Sequence, residues 1–262
     1  MTAPVPKPQR IWKFTAASPK GVVRILDGEG IAVLHVASGV SAVVISSAMT
    51  IEVVLDEGAH LELLRCHIYG KDEQREVSLQ VHQAKDTYFK TFLMTRGARS
   101  FKDQVSIILK GPGAEVSLNG LHDLKGEAVA QSHTFIDHAA PATLSNQLYK
   151  SVVRDSSHSV FNGKIMVRRE AQLTNAYQLN KNLILGALGR AETKPQLEIF
   201  ADDVKCSHGA TIGQLDDDQL FYFQTRGISR EEAGRMLING FTEDVVSSIN
   251  DLQLRAEVGG LL

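Results

Sequence analysis

Only two cysteines, Cys66 and Cys206, occur in 262 residues, too few for a disulfide framework. Such a chain suits a reducing, cytoplasmic setting. Aromatic residues make up 6%, little material for a stacked sugar-binding platform. No sign of charge dominates: 28 Lys and Arg stand against 30 Asp and Glu, a formal net charge of −2. The basic residues are scattered, so the electrostatic footprint of a nucleic-acid binder is missing. No apolar run approaches the roughly 18–20 residues that span a bilayer, and the start, Met1-Thr-Ala-Pro-Val-Pro-Lys-Pro8, lacks the apolar centre of a signal peptide. Gly-x-x-x-x-Gly-Lys followed by Ser or Thr is absent, so the chain itself is expected to bind no nucleotide. Ser41, Ser132 and Ser145 have no nucleophile-elbow context. His122, His133, His138 and His158 lie near one another in sequence without the spacing of a helical zinc site, and read as exposed or hydrogen-bonded side chains.

What is present is ordinary globular composition, 43% apolar and 22% charged, in a length that allows one large domain with or without an appendage. From about Ile11 to Ile199 apolar residues alternate in short bursts, the strand period. Examples are Val22-Val-Arg-Ile-Leu26, Ile51-Glu-Val-Val-Leu55, Val77-Ser-Leu-Gln-Val81 and Val105-Ser-Ile-Ile-Leu109. Gly39-Val-Ser-Ala-Val-Val44, Gly58-Ala-His-Leu-Glu-Leu63 and Gly113-Ala-Glu-Val-Ser-Leu118 share one pattern. The first two are 19 residues apart and the third follows 55 later, close to three periods. A rung of roughly 20 residues predicts a β-solenoid; a sandwich or barrel is the alternative.

The last fifty residues change to helical spacing. Asp216 and its two neighbours cap a helix over 219–226, ended by Gly227. Ser229-Arg-Glu-Glu232 is a capping box for a second helix. Gly240 is expected to interrupt it, and Thr242 to open a third. The three short helices are expected to cap an open solenoid end. The boundaries are therefore a flexible 1–10, a β core over 11–212 and a helical region over 213–262.

Cys206 and His208 stand at i and i+2, so an extended backbone sends both to one face about 7 Å apart. A turn at Asp202–Asp203 is expected to reset the phase and leave Val204, Cys206 and His208 on one side of a final short strand. Thiolate beside imidazole suits iron, zinc or copper. Two ligands do not close a site, so the others must come from elsewhere or from a second chain. A buried Cys packing as a small apolar group is the plainer alternative. The apolar face of Leu220, Phe221 and Phe223 packs on the solenoid end or, partly exposed, docks a protein.

Several of these segments resemble the SufB/SufD family of the SUF iron–sulfur cluster assembly machine. They are Ser145-Asn-Gln-Leu-Tyr-Lys150, Val160-Phe-Asn-Gly-Lys-Ile-Met-Val167, Ala171-Gln-Leu-Thr-Asn-Ala-Tyr-Gln-Leu-Asn-Lys-Asn-Leu-Ile-Leu185, the stretch around Cys206, and Asp218-Gln-Leu-Phe-Tyr-Phe-Gln-Thr-Arg-Gly-Ile-Ser229. The dense match covers roughly Ser132 to Phe241. SufB usually carries Glu-His-Glu where this chain has Ser207-His208-Gly209. It also has a cysteine, thought to carry nascent sulfur, in a turn that here reads Gly186-Ala-Leu-Gly-Arg-Ala-Glu-Thr193. The chain therefore resembles SufD, although Met236-Leu-Ile-Asn-Gly-Phe241 has SufB character.

The resemblance implies a right-handed parallel β-helix and a non-enzymatic assembly subunit. It implies pairing with a SufB-type scaffold through the C-terminal solenoid ends, and docking of a SufC-type ABC ATPase on the helices. The short chain leaves a second copy of itself as the other partner, in a homodimeric minimal SufB-like scaffold, as the alternative. Leu220, Phe221, Phe223, Ile228, Met236, Leu237 and Phe241 are the docking candidates. His208, with Cys206, becomes the metal contact for iron or an iron–sulfur cluster shared transiently with the partner. Family members usually carry a larger N-terminal helical region, so the chain reads as abridged, and the flavin association tied to that region is left open. A β-helix carbohydrate-active enzyme is a remote alternative; it would need a groove with carboxylates and stacked aromatics.

Overall fold

The computed structural model describes residues 9–16, 22–25 and 31–261. Residues 1–8 of the expected flexible start, and Leu26, lie outside them. The described residues form sixteen strands that alternate between two eight-stranded sheets. The first sheet holds β1 (Gln9–Phe14), β3 (Ile31–Val36), β5 (Thr50–Leu55), β7 (Gln74–Gln83), β9 (Ser100–Leu109), β11 (Val129–His138), β13 (His158–Val167) and β15 (Arg190–Ile199). The second holds β2 (Val22–Ile25), β4 (Ser41–Ser46), β6 (His60–Ile68), β8 (Tyr88–Arg96), β10 (Glu115–Leu124), β12 (Leu144–Val153), β14 (Thr174–Ile184) and β16 (Val204–Gly213). Every pairing is parallel and joins a strand to those two places before and after it. Consecutive strands never pair. The chain is thus a mainly parallel β-solenoid, as its alternation and repeat predict, and not a sandwich of hairpins.

Alternation builds the core because a parallel register stacks like on like. In the first sheet Leu34, Val53, Val81, Ile107, Ile136, Ile165 and Leu197 form one inward column. All but Leu197 are buried, each contributing about 1.5–3 kcal/mol by leaving water. The facing column in the second sheet runs Leu63, Thr91, Leu118, Gln147, Gln178, His208. It turns polar toward the C-terminal end, and the inward face of β14 is almost wholly polar: Thr174, Gln178, Asn180 and Asn182 are all buried.

The glycines of the repeat occupy one corner of the coil. Gly39, Gly58 and Gly113 have φ of 67°, 69° and 71°, the left-handed turn that glycine adopts without penalty, each two residues ahead of a second-sheet strand. The period is not constant, however. His60 pairs with Tyr88 and Tyr88 with Glu115, so Gly58 and Gly113 are separated by two coils, not the three inferred from a period of about 20. The coil grows because its strands lengthen, from six residues in β3 to β5 to ten in β9 to β13.

Three helices follow: α1 (Asp217–Thr225), α2 (Arg230–Val246) and α3 (Leu252–Gly259). Asp216, Ser229 and Asp251 cap them by accepting from the backbone N–H of Asp218, Glu232 and Leu254. Two expectations are corrected. Gly240 does not interrupt α2; nothing lies within 4 Å of where its side chain would be. An exposed helical glycine costs only about 1 kcal/mol, and burial of Thr242, Val245 and Val246 outweighs it. Nor do α2 and α3 cap the solenoid end. They run back along the outer face of the second sheet, where Val245, Val246, Ile249, Leu254 and Val258 cover Ile45, Leu64, Phe92, Met94 and Leu121. The reason is that Ile45, Leu64, Phe92, Met94 and Leu121, on the outward side of β4, β6, β8 and β10, form an apolar patch that needs a cover more than the polar end does. Lys150 reaches Asp244 and the Phe241 carbonyl, and Lys90 donates to Asn250 at 2.8 Å, fastening the strap.

Candidate functional site

The stack stops at β15 and β16, which have a paired neighbour on one side only. The turn before β16 sits at Asp202–Asp203, where Leu173 N–H donates to the Asp203 carbonyl at 2.6 Å and Asp203 N–H to the Gln172 side chain at 2.9 Å. This anchors the phase of the strand. Val204, Cys206 and His208 pair with Thr174, Ala176 and Gln178, three buried inward positions. The predicted common face is therefore real, and it is the continuation of the lumen wall. With no further coil above, Cys206 is half-buried and His208 exposed. The strand is ten residues long rather than short.

Burial pushes the Cys206 thiol above its ordinary range, partly offset by a hydrogen bond involving the Ala176 backbone. The thiol is accordingly protonated until something cationic displaces the proton, as metal binding does. Two soft-to-borderline donors on one wall make half of a tetrahedral site. Among the described residues no group of three His, Cys, Asp or Glu side chains is gathered for a metal. Among the described residues, Cys206 and His208 thus stand as a pair on one wall at an exposed end.

The docking candidates divide. Leu220 is 3% exposed and anchors α1 inward, whereas Phe221 is 67% and Met236 46% exposed. Phe223, Ile228, Leu237 and Phe241 are half-buried. Phe241 faces the solenoid, with the Lys150 ammonium 4.5 Å from its ring centre. Tyr222 adds to the exposed surface of α1. Phe200, Ile199 and Ile212 stand exposed around the open end.

The lumen itself holds groups that the sequence patterns did not single out. Arg65 of β6 crosses to Asp103 of β9, its two terminal nitrogens donating at 2.6 and 3.2 Å, and the Tyr149 hydroxyl donates to Asp103 at 3.3 Å. All three are buried. The available signal was an Arg at an inward parity position within Leu61-Glu-Leu-Leu-Arg-Cys-His67. On the outside of the first sheet, a trough of about 430 Å³ is lined by residues including Gln104, His133, Phe135, Asn162 and Lys164. No carboxylate lines it, so the paired acids that glycoside hydrolysis requires are missing there.

The family model described as "SUF system FeS cluster assembly, SufBD core domain" matches residues 16–241. The chain is 38% identical over 162 residues to the iron–sulfur cluster assembly protein SufD of Escherichia coli, covering 62% of this chain and 38% of that one. It is 34% identical over 198 residues to an iron–sulfur cluster assembly SufBD family protein of Synechocystis, covering 76% and 44%. To the chloroplastic protein ABCI7 of Arabidopsis thaliana it is 36% identical over 221 residues, covering 81% and 46%. The chain spans less than half the length of these relatives. Among the described residues no helix is long and apolar enough to cross a membrane.

Proposed function

The chain belongs to the SufB/SufD family of iron–sulfur cluster assembly proteins, and on that footing we propose that it is a SufD-like, non-enzymatic assembly subunit. It offers His208, with Cys206, to a SufB-type scaffold at the open solenoid end, where iron is acquired and a cluster built. Iron and the cluster are cargo, shared across the interface. The observation that carries this reading is the incomplete ligand pair on an uncovered lumen wall. Two missing donors and two unpaired strand edges call for the same thing, a partner that continues the stack. Exposed Phe200, Ile199 and Ile212 supply apolar area around those edges.

The exposed face of α1 and α2 is the second contact, for a SufC-type ATPase. Phe221, Tyr222 and Met236 provide exposed aromatic and methionine side chains, residue types that protein interfaces favour. Phe221→Glu is expected to weaken ATPase binding by about thirtyfold or more, the loss of one hot-spot residue of about 2 kcal/mol. Unchanged affinity by calorimetry would remove α1 from the interface.

The central test is co-expression with the ATPase and a SufB-type partner. His208→Ala should leave the complex assembled, because the side chain is exposed, and lower cluster delivery about tenfold or more. Normal delivery from the assembled mutant complex would refute the role. A second copy of this chain could also continue the stack, since identical edges pair about a two-fold axis. Native mass measurement of the chain alone and with its partners separates the homodimer from the heteromer.

A further inference from the structure

We propose that Gln178 is a positioning residue for His208: its buried side-chain carbonyl receives a ring N–H of His208 and fixes which imidazole nitrogen stays free for a metal. The proposal rests on the metal role given to His208 above. Gln178 is the register partner of His208, one strand spacing below it, about 4.8 Å. It is 2% exposed, and its Oε1 is buried with no hydrogen-bond partner. Buried polar atoms are nearly always satisfied, so an orphaned acceptor at this position marks a donor still to arrive.

The direction of the amide is set from the other side. Gln178 Nε2 donates to Gln147 Oε1 at 2.7 Å, and Gln147 Nε2 donates to Thr134 Oγ1 at 2.7 Å. Both donors point back into the stack, which leaves the Gln178 carbonyl for the coil that bears His208. The opposite sheet makes room for this amide. A Cβ on Gly163 would lie 2.5 Å from Gln178 Nε2, so the glycine opens the space and the neighbours hold the side chain in it. His208 has the freedom to respond, being exposed on an edge strand. Metal-binding histidines characteristically give their second N–H to a carbonyl or carboxylate, which sets tautomer and ring orientation.

The test uses the intact chain carrying ¹⁵N-labelled histidine. His208 is expected to show one locked tautomer in the wild type and an averaged pair of ring-nitrogen shifts in Gln178→Met, which keeps volume and loses the acceptor. Gln178→Glu keeps an acceptor and should retain the lock. Identical His208 shifts in wild type and Gln178→Met, or tautomer averaging in the wild type itself, would overturn the proposal; the latter decides the matter even if Gln178→Met fails to fold. Cobalt(II), titrated into the complex with the scaffold partner and followed by visible absorption, gives the second readout. Gln178→Met should weaken its binding about 10- to 100-fold. If His208→Ala weakens cobalt binding and Gln178→Met does not, the positioning role fails and the metal role stands. If the tautomer is locked yet His208→Ala leaves cobalt binding unchanged, the metal role fails and the hydrogen bond stands.

Discussion

Asp103→Ala is expected to lower the unfolding free energy by about 3–5 kcal/mol, the cost of stranding a buried charge. Arg65 is wholly enclosed in the lumen, and burial works against its charge; Asp103 and Tyr149 outweigh that and hold its pKa above the ordinary arginine value. Burial, then Asp103, likewise drives the Tyr149 phenol well above its usual range, so it stays a donor. Without the carboxylate the guanidinium keeps its charge, and its Nε already has no partner. Because the pair links β6 of one sheet to β9 of the other, its loss also frees the two walls from each other. Replacing both partners together, Arg65→Met with Asp103→Leu, should recover most of the stability, since paired removal leaves no lone charge. Urea unfolding of the two variants checks this; a cost below about 1 kcal/mol for Asp103→Ala would mean that water reaches the guanidinium and the lumen is wet at that rung.

Acid should unfold the chain early. His67, His122 and His138 are each pushed down to about 4 by burial; Arg65 adds a smaller push at His67 and His122, while Asp103 at those two and Asp137 at His138 work in the opposite direction without overcoming it. All three are buried and use their rings as neutral hydrogen-bonding groups, to the Tyr69, Ser132, Thr143 and Ser145 hydroxyls at 2.8–2.9 Å. In the unfolded chain a histidine takes up its proton near pH 6.5. Between about 6.5 and about 4 the unfolded state therefore holds protons that the native state refuses. Stability is fully present above pH 6.5, falls as the pH drops through that window, and levels off below about 4. Each histidine contributes at most about 3 kcal/mol to the loss. Urea midpoints measured from pH 7.5 down to 4.5 should fall steeply, and His138→Asn should flatten the slope by about one proton's worth. Midpoints independent of pH across that range would show that these rings titrate normally in the native state.

The solenoid was legible where one side of a strand meets the core and the other meets water. β3, β5 and β13 alternate in that manner, and the corner glycines marked the coil. β8, Tyr88-Phe-Lys-Thr-Phe-Leu-Met-Thr-Arg96, was not, because the strap of α2 and α3 buries its outer face as well as its inner one. A strand covered on both sides has no period to read. β12 and β14 were hidden for the opposite reason: Ser145, Gln147, Gln178, Asn180 and Asn182 are inward and polar, so alternation in hydropathy vanishes although alternation in burial persists. The Cys206–His208 pair was legible as a shared face because it depends only on local backbone geometry. Gln178 beneath His208 was not, since thirty residues separate them and only the register of neighbouring coils brings them together.

The lengthening of the rungs sets the size of whatever continues the stack beyond the last coils. Six-residue strands near the start are about 20 Å long and ten-residue strands at the finish about 33 Å, so the bore flares. A strand laid beside β15 or β16 must be of the longer kind to meet every backbone group along the exposed edge. Breadth acts as a gauge, admitting at the wide mouth only a cross-section of its own size.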